Sequence, residues 1–187
     1  MHSTPQTDEF IGVKPAAYHT LREANAARQA LWDPKDRIDW DWRCNELAGE
    51  AGEVCNVLKK LHRERLGLPG SRATKADLAD ELADVIICAD LCAMMLEEPE
   101  IIPDFASGLE GMAPSIQGRY LAAAVGLVCD DHPERYCPAR ALNIVMSYVQ
   151  KIALSAGIDL DAAVAAKFNA TSAKVGLPVT LRLTANV

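Results

Sequence analysis

This 187-residue sequence predicts an all-α fold, and three observations carry the prediction. Apolar residues recur at steps of three and four over several long stretches, the spacing that gives a helix one buried face. The strict alternation of a half-buried strand is almost absent. The breaks between the periodic stretches carry proline, glycine or a side-chain start signal, so each stretch has definable ends. Together these describe a helical bundle.

Residues 1–18 show no periodicity and read as an irregular arm. A first helix covers Thr20 to Leu31 and stops before "WDPKD". The second runs from Asp39 or Trp40 to Arg65, with Leu47, Ala51, Val54, Leu58 and Leu61 as its buried seam. "GLPGS" ends it, through Gly67, Pro69 and Gly70. The third begins at Thr74, where Thr74 and Asp77 form a T-x-x-D start signal. Its seam is Leu78, Leu82, Val85, Ala89, Cys92 and Leu96. Residues 97–118 are loop-like, with Pro99, Pro103, Pro114 and three glycines. Helices over Arg119 to Cys129 and Ala139 to Ala156 follow, divided by "DDHPERYCP". A last helix is capped by Asp159 and reaches Lys174. "VGLPVTLRLTANV" closes as an extended tail with alternation at Val179, Leu181 and Leu183.

The length fits a single domain over 1–187 with a real core. A net charge of −7 argues against a general nucleic-acid binder, whose affinity comes from neutralising phosphates. An acidic chain can still take a phosphorylated small molecule if a metal ion supplies the positive charge. The six cysteines form no C-x-x-C pair and read as reduced core thiols. No basic-then-apolar leader and no membrane-length apolar run is visible, so the expected location is cytoplasmic, with no membrane partner.

Two helices share a second pattern. Glu46, Glu50 and Glu53 step by four and three beside the seam of the second helix, and Asp77, Glu81 and Asp84 repeat that spacing on the third. Residues so spaced share a helix face, so each helix presents a column of carboxylates. Acidic residues on a solvated face are the plain explanation for a charge run. Against it, both columns border apolar seams, and Asp84 is followed at once by "VIICA". Like charges so placed repel unless cations sit between the columns. An all-oxygen site suits Mg²⁺ or Mn²⁺ rather than zinc. A di-iron bundle would want E-x-x-H pairs, and none of His2, His19, His62 and His132 lies three residues after a column glutamate. Mg²⁺ held by a few carboxylates keeps positions open for substrate phosphates, which points to phosphate-ester or phosphoanhydride chemistry. On helical spacing, Lys60 lies about 10 Å beyond Glu53 on the same side of the second helix, where it could meet leaving phosphates.

E-x-x-E at Glu50 to Glu53, then 27 residues, then E-x-x-D at Glu81 to Asp84, resembles the all-α nucleoside triphosphate pyrophosphohydrolases. That superfamily includes MazG-like enzymes, dimeric dUTPases and dCTP pyrophosphatases. "ELAGEAGEV…ELADVIICADLCA" is similar to single-domain MazG-like proteins of phages and bacteria, as is "GIDLDAAVAAKFNATSAKVGLPVTL" to their ends. The likeness covers 20–96 and 157–181 and makes 97–155 an insertion; Gly49 stands where many relatives begin a double glutamate. The resemblance implies Mg²⁺-dependent hydrolysis of a nucleoside triphosphate to the monophosphate and pyrophosphate, serving nucleotide-pool control. It implies Glu50, Glu53, Glu81 and Asp84 as metal ligands, with Glu50 or Glu53 activating water. It places Lys167, Asn169 and Lys174 near substrate, lets Trp32 stack the base ahead of Trp40 or Trp42, and implies a bundle completed by oligomerisation, as a homodimer or homotetramer. The alternatives are an alarmone (ppGpp) or modified-nucleotide hydrolase using the same residues, or a non-catalytic helical interaction module.

Overall fold

A computed structural model describes residues 16–98, 111–130 and 137–182. Among them the chain is all-α apart from two short strands: β1 (Ala16–Tyr18), α1 (Leu21–Trp32), α2 (Trp40–Arg65), α3 (Lys75–Met95), α4 (Pro114–Val128), α5 (Pro138–Ala156), α6 (Leu160–Lys174) and β2 (Val179–Leu181). Pro99, Pro103, Leu183, His2 and His132 lie outside the described residues.

The helix ends follow side-chain chemistry. Thr20 accepts from the Glu23 amide, Asp39 from that of Trp42 and Asp159 from that of Ala162. Thr74 and Asp77 form a reciprocal capping box at the start of α3, so two otherwise unpaired amides are satisfied. Gly157 ends α5 in the left-handed region, at φ 64°, where glycine carries no Cβ penalty.

Two expectations are corrected. α4 begins at Pro114, five residues before the expected Arg119. The proline read as loop punctuation sits in the first turn, where its missing N–H costs nothing. The arm expected to be irregular up to residue 18 instead supplies β1, which pairs in parallel with β2, Ala16 opposite Val179 and Tyr18 opposite Leu181. Three residues are too few to show a strand period in sequence.

The helices close one core. α2 packs on α3 and α4, α4 on α5, and α3 on α5 and α6, with α1 laid against α3. Leu47, Leu58, Leu82, Leu121, Leu142, Ile152 and Phe168 are fully buried in a single cluster. Segment 97–155, an insertion relative to the resemblance, therefore contributes α4 and α5 to the same core as α2 and α3. The α2–α3 hairpin is covered from within the chain. At Gly118 α4 comes so close to α2 that an added Cβ would lie 3.2 Å from Leu58 Cδ1.

All six cysteines are free, and Cys88 and Cys92 are buried. Burial pushes the Cys92 thiol up to about 12, which suits a packed, unreactive thiol. Among the described residues no single helix is long and apolar enough to cross a membrane.

Candidate metal centre

The short connection between α2 and α3 lays the two acidic helices side by side, and it sorts their carboxylates into three fates. At the start of α3, Asp77 caps the helix; Thr74 hydrogen bonds hold its carboxyl below the usual range, and the charge of Lys60 adds to this. Glu46, toward the start of α2, takes a hydrogen bond from Arg43 Nη1 at 2.5 Å. Between them, Glu50 from α2 and Glu81 and Asp84 from α3 converge, with one oxygen from each lying within 4.8 Å of the others. All three are half-buried. Paired carboxylates at that separation repel by on the order of 3 kcal/mol near a protein surface.

Their acidities register the crowding. Burial, then the charges of Asp84 and Glu81, push Glu50 up to about 7, against a lesser pull from Lys167. Burial likewise raises Glu81 and Asp84, even though Lys167 opposes the rise in both. Lys167 reaches across from α6 and its ammonium lies 2.7 Å from Asp84 and 2.5 Å from Asp80. Burial pulls Lys167 down, but the hydrogen bonds and charges of the two aspartates outweigh it and hold the ammonium above its ordinary value. One lysine faces a trio of acids, with Asp80 and Glu53 close by. The site is short of positive charge.

The other sequence-derived candidates divide. Glu53 is exposed at the rim, one turn past Glu50; it stays outside the trio, although Glu81 feels its charge. Asn169 is engaged in structure: its side chain accepts from the Leu181 amide at 2.7 Å and donates to the Leu181 carbonyl at 3.0 Å, pinning β2 to α6. Lys174 is exposed at the end of α6, and Lys60 is half-buried on α2. Trp40 packs against the core, while Trp42 is exposed. Trp32 is 45% exposed and lines a cavity of about 180 Å³.

That cavity is the part sequence reasoning missed. Asn25, Arg28, Gln29 and Trp32 of α1 line it together with Arg43 and Glu46 of α2. Glu46 precedes Glu50 by one helical turn, about 6 Å along the axis, so cavity and trio adjoin. Arg28 lies in the fields of both Glu46 and Asp84. A signal existed: positions 25, 28, 29 and 32 have the spacing of one helix face, but they carry polar and aromatic groups where a search for buried seams looks for aliphatic ones.

No protein-family model matches the chain, and no match is found among curated proteins or among solved structures. The likeness to the pyrophosphohydrolases rests on the quoted motifs.

Proposed function

We propose that the chain is a nucleoside triphosphate pyrophosphohydrolase that uses Mg²⁺ or Mn²⁺. One observation carries the reading: Glu50, Glu81 and Asp84 come from two helices to within 4.8 Å of one another, half-buried and with weakened acidities. The donor set fits the cation. It is all carboxylate oxygen, without histidine or cysteine, which suits a hard divalent ion. Such an ion, when bound, neutralises triphosphate oxygens and acidifies a water molecule.

The chain's own groups have distinct tasks. Glu50 and Glu53, one helical turn apart at the trio and its rim, are the candidate bases for an attacking water, and Glu50 is also a candidate cation ligand. Lys167 holds a positive charge beside Asp84, within reach of phosphate oxygens entering the trio. The adjoining cavity takes the base, with Trp32 as a stacking face. The one-turn offset between Glu46 and Glu50 leaves room for a sugar between base and phosphates.

Pyrophosphate release from a panel of nucleotides, ppGpp included, with and without Mg²⁺, tests the reading. We expect Mg²⁺-dependent release that falls at least about 100-fold in Glu50→Gln and Asp84→Asn. Full turnover in both variants refutes the site. Release from ppGpp alone selects the alarmone reading, and no release from any nucleotide leaves the interaction module. A homodimer or homotetramer is part of the proposal and follows from the resemblance; a monomer by light scattering at micromolar concentration refutes it.

A further inference from the structure

The cavity beside the trio offers a fixed acceptor and a fixed donor. Arg43, only 3% exposed, donates through Nη1 to Glu46 Oε2 at 2.5 Å and through Nη2 to Gln29 Oε1 at 2.6 Å. Glu46 is held in place by one oxygen, which leaves Oε1 to accept from a ligand; a carboxylate has no proton to give. Across the cavity, the Arg28 guanidinium lies over the Phe168 ring at 3.9 Å and donates through Nη2 to Asn25 Oδ1 at 3.2 Å. Arg28 Nη1 is covered from water and has no hydrogen-bond partner among the described residues. A covered N–H without an acceptor is costly, and because Arg28 lines the cavity, a small turn of its guanidinium toward a ligand oxygen there removes that cost.

We infer that Glu46 and Arg28 read the edge of the base, and that the preferred base carries an exocyclic amine beside a carbonyl: cytosine or guanine. The inference rests on the reading above, that a nucleotide occupies this site. The amine donates to Glu46 and the carbonyl accepts from Arg28, pairings these side chains make with base edges by geometry. Uracil and thymine flank a single N–H with two carbonyl oxygens, so their lone pairs would face the carboxylate. Adenine has the amine, but its acceptors are ring nitrogens set closer to the amine than a carbonyl across the edge. Size ranks the two candidates. The cavity of about 180 Å³ is little larger than the roughly 150 Å³ that holds one benzene ring, so a single ring is enclosed and a second would lie in the open mouth. Trp32 stacks on any base and contributes affinity without choice.

Calorimetric titration of the full-length protein in EDTA with dCMP, dGMP, dUMP, dTMP and dAMP tests this without metal or turnover. We expect dCMP, dGMP or both to bind about tenfold more tightly than dUMP, dTMP and dAMP, the better of the two showing which ring system the cavity takes. Glu46→Gln keeps an acceptor for Arg43 but adds a donor, and should bring dCMP and dUMP within about twofold. Arg28→Met keeps a long side chain on Phe168 and should weaken dCMP and dGMP, whose carbonyl loses its donor, while leaving dAMP, which has no carbonyl, unchanged. Equal binding of all five, a preference for dUMP or dTMP, or a preference unaltered in Glu46→Gln overturns the inference, as does failure of every monophosphate to bind. Pyrophosphate release run in parallel separates the two readings: release without base preference sinks this inference alone, whereas selective binding without release sinks the hydrolase reading alone.

Discussion

Replacing Glu50 by glutamine tests the charge balance of the site in its metal-free and metal-bound states. The Glu50 carboxyl is raised from its usual value of 4.5 to about 7 in the folded chain. A group whose folded acidity is weakened this way binds its proton more tightly folded than unfolded. Between about pH 4.5 and pH 7 the unfolded chain loses that proton first, so folding stability falls as pH rises through the window and levels off above it. At about 1.4 kcal/mol per unit the full penalty lies between about 3 and 4 kcal/mol, and solvent screening of a half-buried group reduces it to about 2 kcal/mol. Glu50→Gln carries no such penalty. In EDTA at about pH 8 the variant should be more stable than the parent by about 2 kcal/mol, a rise of roughly 4–8 °C in melting temperature for a chain of this size. Below about pH 4.5 the two should converge, because Glu50 is then protonated in both the folded and the unfolded parent. Millimolar Mg²⁺ should reverse the order. A ligand present at 100 times its dissociation constant stabilises by about 2.7 kcal/mol, and the variant, lacking one ligand, should gain much less. Thermal unfolding followed by circular dichroism at both pH values reads all four conditions. Parallel pH profiles for the two proteins, or an equal Mg²⁺ shift in both, would refute the placement of Glu50 in a crowded cation site.

Three further outcomes follow from other contacts. Lys167→Met removes the ammonium that bridges Asp80 and Asp84; it should lower metal-free stability by about 1–2 kcal/mol and enlarge the stabilisation by Mg²⁺, and an unchanged Mg²⁺ shift would show that lysine and metal do not share the site. Asn169→Ala leaves the Leu181 N–H and C=O without their side-chain partner, at a cost of about 1–3 kcal/mol, and hydrogen exchange at Leu181 should accelerate while the Mg²⁺ shift persists. Gly118→Val forces a branched side chain toward Leu58 and the Cys55 sulfur, and should destabilise by roughly 1–3 kcal/mol in denaturant titration; a neutral result would mean that α2 and α4 are not so tightly apposed.

The helices were legible because their information is local. Thr20, Asp39, Thr74 and Asp159 each accept a backbone amide three residues ahead, and such contacts need no partner from elsewhere in the chain. The seam of α2 was visible for a related reason, since helical spacing alone brings Leu47, Ala51, Val54 and Leu58 to one face. The acidic spacing likewise marks Glu46, Glu50, Glu53, Asp77, Glu81 and Asp84 as two columns from the sequence alone.

What spacing could not do was sort the carboxylates. Glu46, Glu50 and Glu53 are equivalent as a helical stripe, yet one pairs with Arg43, one joins the trio and one faces solvent. The Arg43–Glu46 pair is local, three residues apart on one helix, but the split between Glu50 and Glu53 depends on where α3 lies against α2, and Lys167 reaches Asp84 from 83 positions further along the chain. The same holds for Asn169, whose motif position suggested substrate but whose amide is engaged by Leu181. It holds too for β1, a strand only because β2 returns beside it. Local spacing sets the helices, their buried faces and which acids stand in line. Packing between segments settles which acids meet, that Lys167 stands among them and what cavity opens next to them, because those depend on distances that local spacing does not encode.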